Sequence, residues 1–244
     1  MDDKEKKVIE KVAKKIKSKL YNQFGIKDFR DPFKVISSLD GYIIIRFKND
    51  KKIQGFTIKK ENYKCIYINS ADVLGRQYYS CWHEFYHSID DVHELRISHK
   101  GDKSVAEESA EYFAGCMLLD KDELNRYIRI KWGNENNLNE EALIDIQYKF
   151  QVSFEALKVR LNEIFNTKRF YKFKINSIEN RKKYEKKVRQ LGYDIQLISP
   201  TEDFCVPYFF IEDLQKNLIG KRMSMEKISE TINFLEEKEV KFKW

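Results

Sequence analysis

The chain has 244 residues, of which 42% are hydrophobic and 14% aromatic, enough to bury one large core or two small ones, while 35% charged residues supply a solvated surface. No apolar run reaches the ~18 residues needed to cross a bilayer, and the charged opening MDDKEKK lacks the apolar core of a secretory signal, so a cytoplasmic protein with no membrane partner is expected. A surplus of 46 Lys and Arg over 39 Asp and Glu is too mild to make nucleic acid the expected partner, and Cys65, Cys81, Cys116 and Cys205 form no C-x-x-C pair, which argues against a zinc ribbon or a disulfide framework.

From the N-terminus, DKEKKVIEKVAKKIKSKLYNQFG places Val8, Ile9, Val12, Ile16 and Leu20 at helical spacing and stops at Gly25, which predicts an amphipathic helix with a basic outer face. Three stretches rich in β-branched and aromatic residues follow, YIIIRF, QGFTIKK and NYKCIYIN, separated by KNDKK and KKEN. They predict an antiparallel meander. From Gly75 the period changes to 3.6, and a helix is expected over about 76–89. A loop with His93, His99 and Gly101 leads to S-V-A-E at Ser104, a capping box opening a second helix toward Leu119; D-K-D-E at 120–123 reads as another box.

After a loop around KWGNENNLNE, EEALIDIQYKF and FEALKVRLNEIF predict two helices split by a short turn with Ser153 as N-cap. The pair has the outline of a helix-turn-helix, but its would-be recognition helix carries only Lys158 and Arg160 among apolar positions, so packing on the rest of the chain is the better reading. Beyond Thr167 come a basic helix, IENRKKYEKKVRQLG, an irregular segment with Pro200 and Pro207, and a helical pair around YFFIEDLQKNL and MEKISETINFL. This last part reads as an appended region.

Two of the four histidines lie in CWHEFYH at 81–87. With Trp82 at zero and 100° per residue, Tyr78, Tyr79, Phe85, Tyr86 and Ile89 fall within about 60° and form a buried stripe. His83 and His87 lie together at about 100° and 140°, and Glu84 further round at about 200°. H-E-x-x-H uses such a set for metal chemistry: two neutral imidazoles hold Zn²⁺, and the carboxylate takes a proton from its water. By chance the pattern arises in on the order of 1% of chains of this composition, so a helix with two unconnected histidines is the weaker reading.

A catalytic zinc normally has three protein ligands. His93 falls where H-E-x-x-H-x-x-G-x-x-H places its last histidine, but Asp90 occupies the glycine position. Glu107 is the other candidate: Ala110 and Ala114 follow it, leaving a face small enough for its helix to approach the first closely. Glu107 could instead serve only the Ser104 capping box. Glu108 and Glu111 stand near it and read as solvated, and His99 has no partner in sequence.

GRQYYSCW-HEFYH, then E-x-x-A-x-x-F-A from Glu107 to Ala114, then CMLL, resembles the ImmA/IrrE family of zinc peptidases; IYINS resembles its lead-in, and FQVSFEALKVRL the helical segment that follows its peptidase part. The resemblance covers roughly residues 30–166. It implies an α+β, zincin-like peptidase domain with a small antiparallel sheet and an HExxH helix, followed by helical segments. On that basis residues 1–122 are expected to form the peptidase domain with its N-terminal helix, 123–168 the helix-turn-helix-like segment, and 169–244 the appended region. The resemblance also implies His83, His87 and Glu107 as zinc ligands, Glu84 as catalytic base, and a helix-turn-helix repressor of a phage or mobile element as substrate. Phe85-Tyr86 stands where the family has Leu-Gly, and Asp120 where a proline follows LL, so Tyr86 is expected to narrow the cleft.

An extended substrate is expected to add a strand along the edge of the meander. An oxyanion partner could come from Tyr78, Tyr86, Tyr112 or His93. The alternative is a non-enzymatic regulator that keeps the metal site for binding a protein or DNA; an intact Glu84 favours the enzyme.

Overall fold

The computed structural model describes residues 1–49, 53–89, 103–175 and 177–244, and its architecture is α+β. Helix α1 (Asp3–Phe24) begins at Asp2, whose side chain accepts from the Lys4 and Glu5 backbone while Glu5 reaches back, and ends at Gly25 with φ 69°. A left-handed cap of this kind suits glycine, which has no Cβ to clash. The short α2 (Pro32–Ser37) starts from Asp31 with proline in its first turn. Six residues carry too little periodicity to predict it.

Strands β1 (Tyr42–Phe47), β2 (Gly55–Lys60) and β3 (Tyr63–Asn69) form from the three expected stretches, but their pairing is not a meander. β2 and β3 make an antiparallel hairpin with Phe56 opposite Tyr67; β3 then pairs with β1 in parallel, Ile66 opposite Ile44. On its other side β1 takes β4 (Cys205–Pro207) antiparallel, and β5 (Lys241–Lys243) runs parallel to β4. The sheet is therefore mixed, in the order β2-β3-β1-β4-β5. YIIIRF is apolar on both faces, which suits a central strand, whereas GFTIKK ends in two exposed lysines that suit an edge.

Helices α3 (Leu74–Ser88) and α4 (Lys103–Leu118) pack together, α3 lies against β2 and β3, and α1 packs on α4. Ser104 thus falls inside α4 and does not precede it. α5 (Lys121–Trp132) starts at Asp120, whose carboxylate accepts from the backbone N–H groups of Asp122 and Glu123. This cap gives Asp120 its own reason to stand after the LL pair.

Helices α6 (Glu140–Phe150) and α7 (Phe154–Ile164) are capped by Asn139 and Ser153. They bury Leu143, Ile144, Ile146, Phe150, Leu157 and Leu161. Their turn sits on the first turn of α3: a β-carbon at Gly75 would lie 2.7 Å from both the Val152 carbonyl carbon and the Ser153 nitrogen. Lys158 and Arg160, the cations of the would-be recognition helix, are both buried. Lys158 Nζ donates to the Phe173 carbonyl at 2.7 Å, and Arg160 Nε to the Leu119 carbonyl at 3.3 Å.

The C-terminal part contains α8 (Ile178–Gln190), α9 (Phe209–Ile219) and α10 (Met225–Glu237), along with β4 and β5. Its composition sets it apart, yet it completes the sheet and is tied to β1 by an ion pair. Arg46 Nη2 lies 2.7 Å from Asp203 Oδ2, with both side chains buried, and the guanidinium sits over the rings of Phe33 and Trp244. Burial alone would raise the Asp203 carboxyl, but Arg46, with Thr201, Cys205 and Lys243, holds it down at about 2. No described helix is long and apolar enough to cross a membrane.

Two outcomes are expected in urea unfolding. Gly75→Ala forces two backbone segments apart and should cost about 1–3 kcal/mol. Asp203→Asn leaves a buried guanidinium unpaired and should cost about 3 kcal/mol or more. Because the folded value at Asp203 lies below the ~3.9 of an unfolded aspartate, the wild-type pair stabilises fully above about pH 4 and loses that stabilisation as pH falls toward 2. The acid limb of stability should therefore be shallower in Asp203→Asn than in the wild type.

Candidate active site

Helix α3 carries His83 and His87 one turn apart, on one face. The stripe Trp82, Phe85 and Tyr86 is buried, and Trp82 Nε1 donates to the Phe29 carbonyl at 3.1 Å, which holds the rotation of the helix. Helix α4 brings Glu107. The two helices pack together, and Ala110 and Ala114, which follow Glu107 at plus three and plus seven on one face of α4, are both fully buried and small enough to allow a close approach. Tyr79 of α3 adds a tie, its hydroxyl donating to the Glu111 carbonyl of α4 at 2.6 Å.

Three potential metal donors converge at this crossing. Nε2 of His87 lies 3.2 Å from Nε2 of His83, which lies 3.1 Å from Oε2 of Glu107; Oε1 of the same carboxylate is 3.4 Å from His87 Nε2. A tetrahedral zinc with bonds of ~2.0–2.1 Å needs neighbouring donors about 3.3–3.4 Å apart. The donors present have the chemistry such an ion requires and stand near that spacing, the two histidines facing different oxygens of the carboxylate; one donor atom from each residue lies within 4.8 Å of the others, and among the described residues this is the group able to hold a metal ion. Burial, followed by the neighbouring His87, pushes the His83 imidazole below its usual pKa and favours the neutral form that a ligand must have. Glu107 is the candidate third ligand that meets the histidines. His93, the other candidate, lies with Asp90 and His99 outside the described residues.

Glu84 occupies a different environment from its neighbours. A wheel centred on the Trp82 stripe points it away from the core, but the edge strand β2 covers that side of α3, and Glu84 is only 8% exposed. Its Oε2 accepts from Thr57 Oγ1 at 3.0 Å. Burial pushes its carboxyl up to about 7, against the Thr57 hydrogen bond and with a contribution from Glu107. A group balanced near neutrality can both take and return a proton.

A cleft of about 900 Å³ opens over these residues, lined by His83, Glu84 and Glu107, by residues 53–55 leading into β2, and by Tyr79 and Tyr112. Of the tyrosines considered as oxyanion partners, Tyr112 lines the cleft, with its hydroxyl donating to Glu10 Oε1 at 2.8 Å. Tyr78 packs on Phe33 and Tyr86 on Phe113, each at 5.2 Å between ring centroids. Tyr86 therefore fills the contact between α3 and α4 and does not narrow the cleft. Thr57 and Tyr79 carried no site signal in the sequence: a lone threonine on a strand and a tyrosine in an apolar stripe look structural until their neighbours are known.

Three side chains able to hold a metal ion at a helix crossing, with a buried glutamate beside them on an α+β frame, are an arrangement of the metallopeptidase type. The chain belongs to the Peptidase_M78 family: the model of its IrrE N-terminal-like domain matches residues 23–162. That span begins near the end of α1 and closes within α7, so it takes in the sheet hairpin, both site helices and the α6–α7 pair. No curated protein matches the sequence.

Zinc binding checks the triad directly. One equivalent should bind in calorimetric titration, and His83→Ala, His87→Ala or Glu107→Ala should each weaken it by more than the roughly 100-fold typical of outer contacts. Glu84→Gln should bind zinc as the wild type does.

Proposed function

We propose that the protein is a zinc-dependent endopeptidase with His83, His87 and Glu107 as metal ligands and Glu84 as general base and acid. The observation that carries this reading is the meeting of two imidazoles and one carboxylate, each within 3.4 Å of the next, with a buried carboxyl pushed up to about 7 beside them. When bound, zinc supplies a Lewis acid for the scissile carbonyl and lowers the pKa of the water beside it. Glu84 receives the proton of the attacking water and delivers it to the departing amine, so no covalent intermediate with the protein is required.

Substrate is proposed to lie extended along β2. This strand is at the edge of the sheet, and residues 53–55 at its start line the cleft, so a peptide pairing there passes over the metal ligands. The family resemblance points to a helix-turn-helix repressor of a phage or mobile element as the target, which agrees with a cytoplasmic location. The cleft is mixed in charge: Glu84, Glu107, Glu108, Glu111, Glu155 and Glu163 line it together with Lys6, Arg76, Arg160 and the Met1 ammonium, which pairs with Glu108 at 2.6 Å.

Co-expression with candidate helix-turn-helix repressors of phages and mobile elements is the test. A chelator-sensitive cut in the repressor is expected, and Glu84→Gln should slow it by about 10²–10⁴-fold while zinc binding persists. Equal effects of wild type and variant on the repressor would instead identify a protein that acts by binding.

A further inference from the structure

The Glu84 carboxylate is held from the sheet and not from its own helix. Thr57 Oγ1 lies 3.0 Å from Glu84 Oε2 and 3.0 Å from the Glu84 carbonyl oxygen. Gly55, two positions earlier and on the same face of β2, meets the same side chain. A β-carbon there would lie 3.0 Å from Glu84 Cγ, 3.3 Å from Oε1 and 2.9 Å from the Tyr67 carbonyl oxygen. One hydroxyl and one bare Cα on the edge strand thus form the wall against which the glutamate rests.

We infer that Thr57 is a positioning residue for the reaction, holding Glu84 in one rotamer toward the cleft, and that Gly55 is bare so that the carboxylate can lie flat on the strand. The inference rests on the peptidase reading of Glu84. A threonine hydroxyl suits this task because it both donates and accepts. The Thr57 hydroxyl holds Oε2 and lies equally close to the Glu84 carbonyl oxygen, so the side chain and the backbone of the glutamate are fixed from one point. With Oε2 held, Oε1 is the oxygen left to take and return the proton, and the glutamate needs no change of rotamer to do so.

The same strand is the one on which substrate is proposed to pair. Base and peptide are then registered against a single frame, and the geometry of attack does not depend on how α3 and an independent substrate loop happen to align. Loss of such alignment is costly: a displacement of about 1 Å can lower a rate on the order of 10²-fold.

The test compares zinc-loaded Thr57→Val, Thr57→Ser, Glu84→Gln and the double variant Thr57→Val/Glu84→Gln, with a purified helix-turn-helix repressor that the zinc-loaded wild type cleaves as the probe. Thr57→Val keeps the shape of threonine and removes the hydroxyl. It should lose on the order of 10²-fold in kcat with KM and zinc affinity unchanged, and Thr57→Ser should restore most of that loss. The double variant should be no slower than Glu84→Gln alone, because the two residues act as a unit. In a crystal structure of zinc-loaded Thr57→Val, Glu84 should occupy more than one rotamer.

A Glu84 that keeps its single rotamer in that crystal overturns the inference whatever the activity. So does a Thr57→Ser as slow as Thr57→Val, or a Thr57→Val as fast as the wild type while Glu84→Gln is slow. Wild-type cleavage by Glu84→Gln is a separate failure: it removes the general base, and the peptidase reading with it.

Discussion

Helix α3 is gripped on two sides, and the site depends on both grips. On one side α4 packs against it, with Ala110 and Ala114 buried and small enough to allow a close approach; this brings the Glu107 carboxylate within 3.4 Å of both imidazoles. On the other side the edge strand β2 covers Glu84. Larger residues at positions 110 and 114 would hold the helices apart, and two histidines without a carboxylate make a poor closed set for a dication. Without the strand, Glu84 would be an ordinary solvated carboxylate with no reason to hold a proton near neutral pH.

The outer parts of the chain brace this arrangement. The α6–α7 turn lies against Gly75 at the start of α3, so the segment with a helix-turn-helix outline acts as a buttress, its two cations turned inward to carbonyl acceptors. Arg46 and Asp203, 157 positions apart, join the C-terminal segment to the central strand of the sheet. A buried pair of this kind gains little over well-packed apolar residues of the same volume, but losing either partner strands a charge in the interior. The segment is therefore bound to β1 by a contact that tolerates no single loss.

Local features were legible before any coordinates. The ends of α1, α5 and α7 follow from Gly25, Asp120 and Ser153, because a cap acts through atoms three or four residues away. The spacing of His83, Glu84 and His87 likewise states its chemistry within five residues. Other readings were open or misleading for an equally physical reason. YIIIRF, QGFTIKK and NYKCIYIN declare themselves as strands but not their neighbours, since any of them can satisfy its ladder with any other, and the parallel pairing of β1 with β3 depends on a connection that no turn signal encodes. A wheel drawn on one apolar stripe has a single inside, whereas α3 has two, and so it placed Glu84 on the wrong side of the boundary.

The amino-acid sequence by itself determined the class of chemistry, the helices and most of their ends, because these rest on interactions among residues close in the chain. Only the tertiary structure decided that Glu107 meets the two histidines, that Tyr86 packs into a helix contact and leaves the cleft open, that Thr57 bonds Glu84, and that the sheet is mixed. Each of those facts is a meeting of residues distant in the chain, produced by which faces become buried together, and no local pattern encodes it.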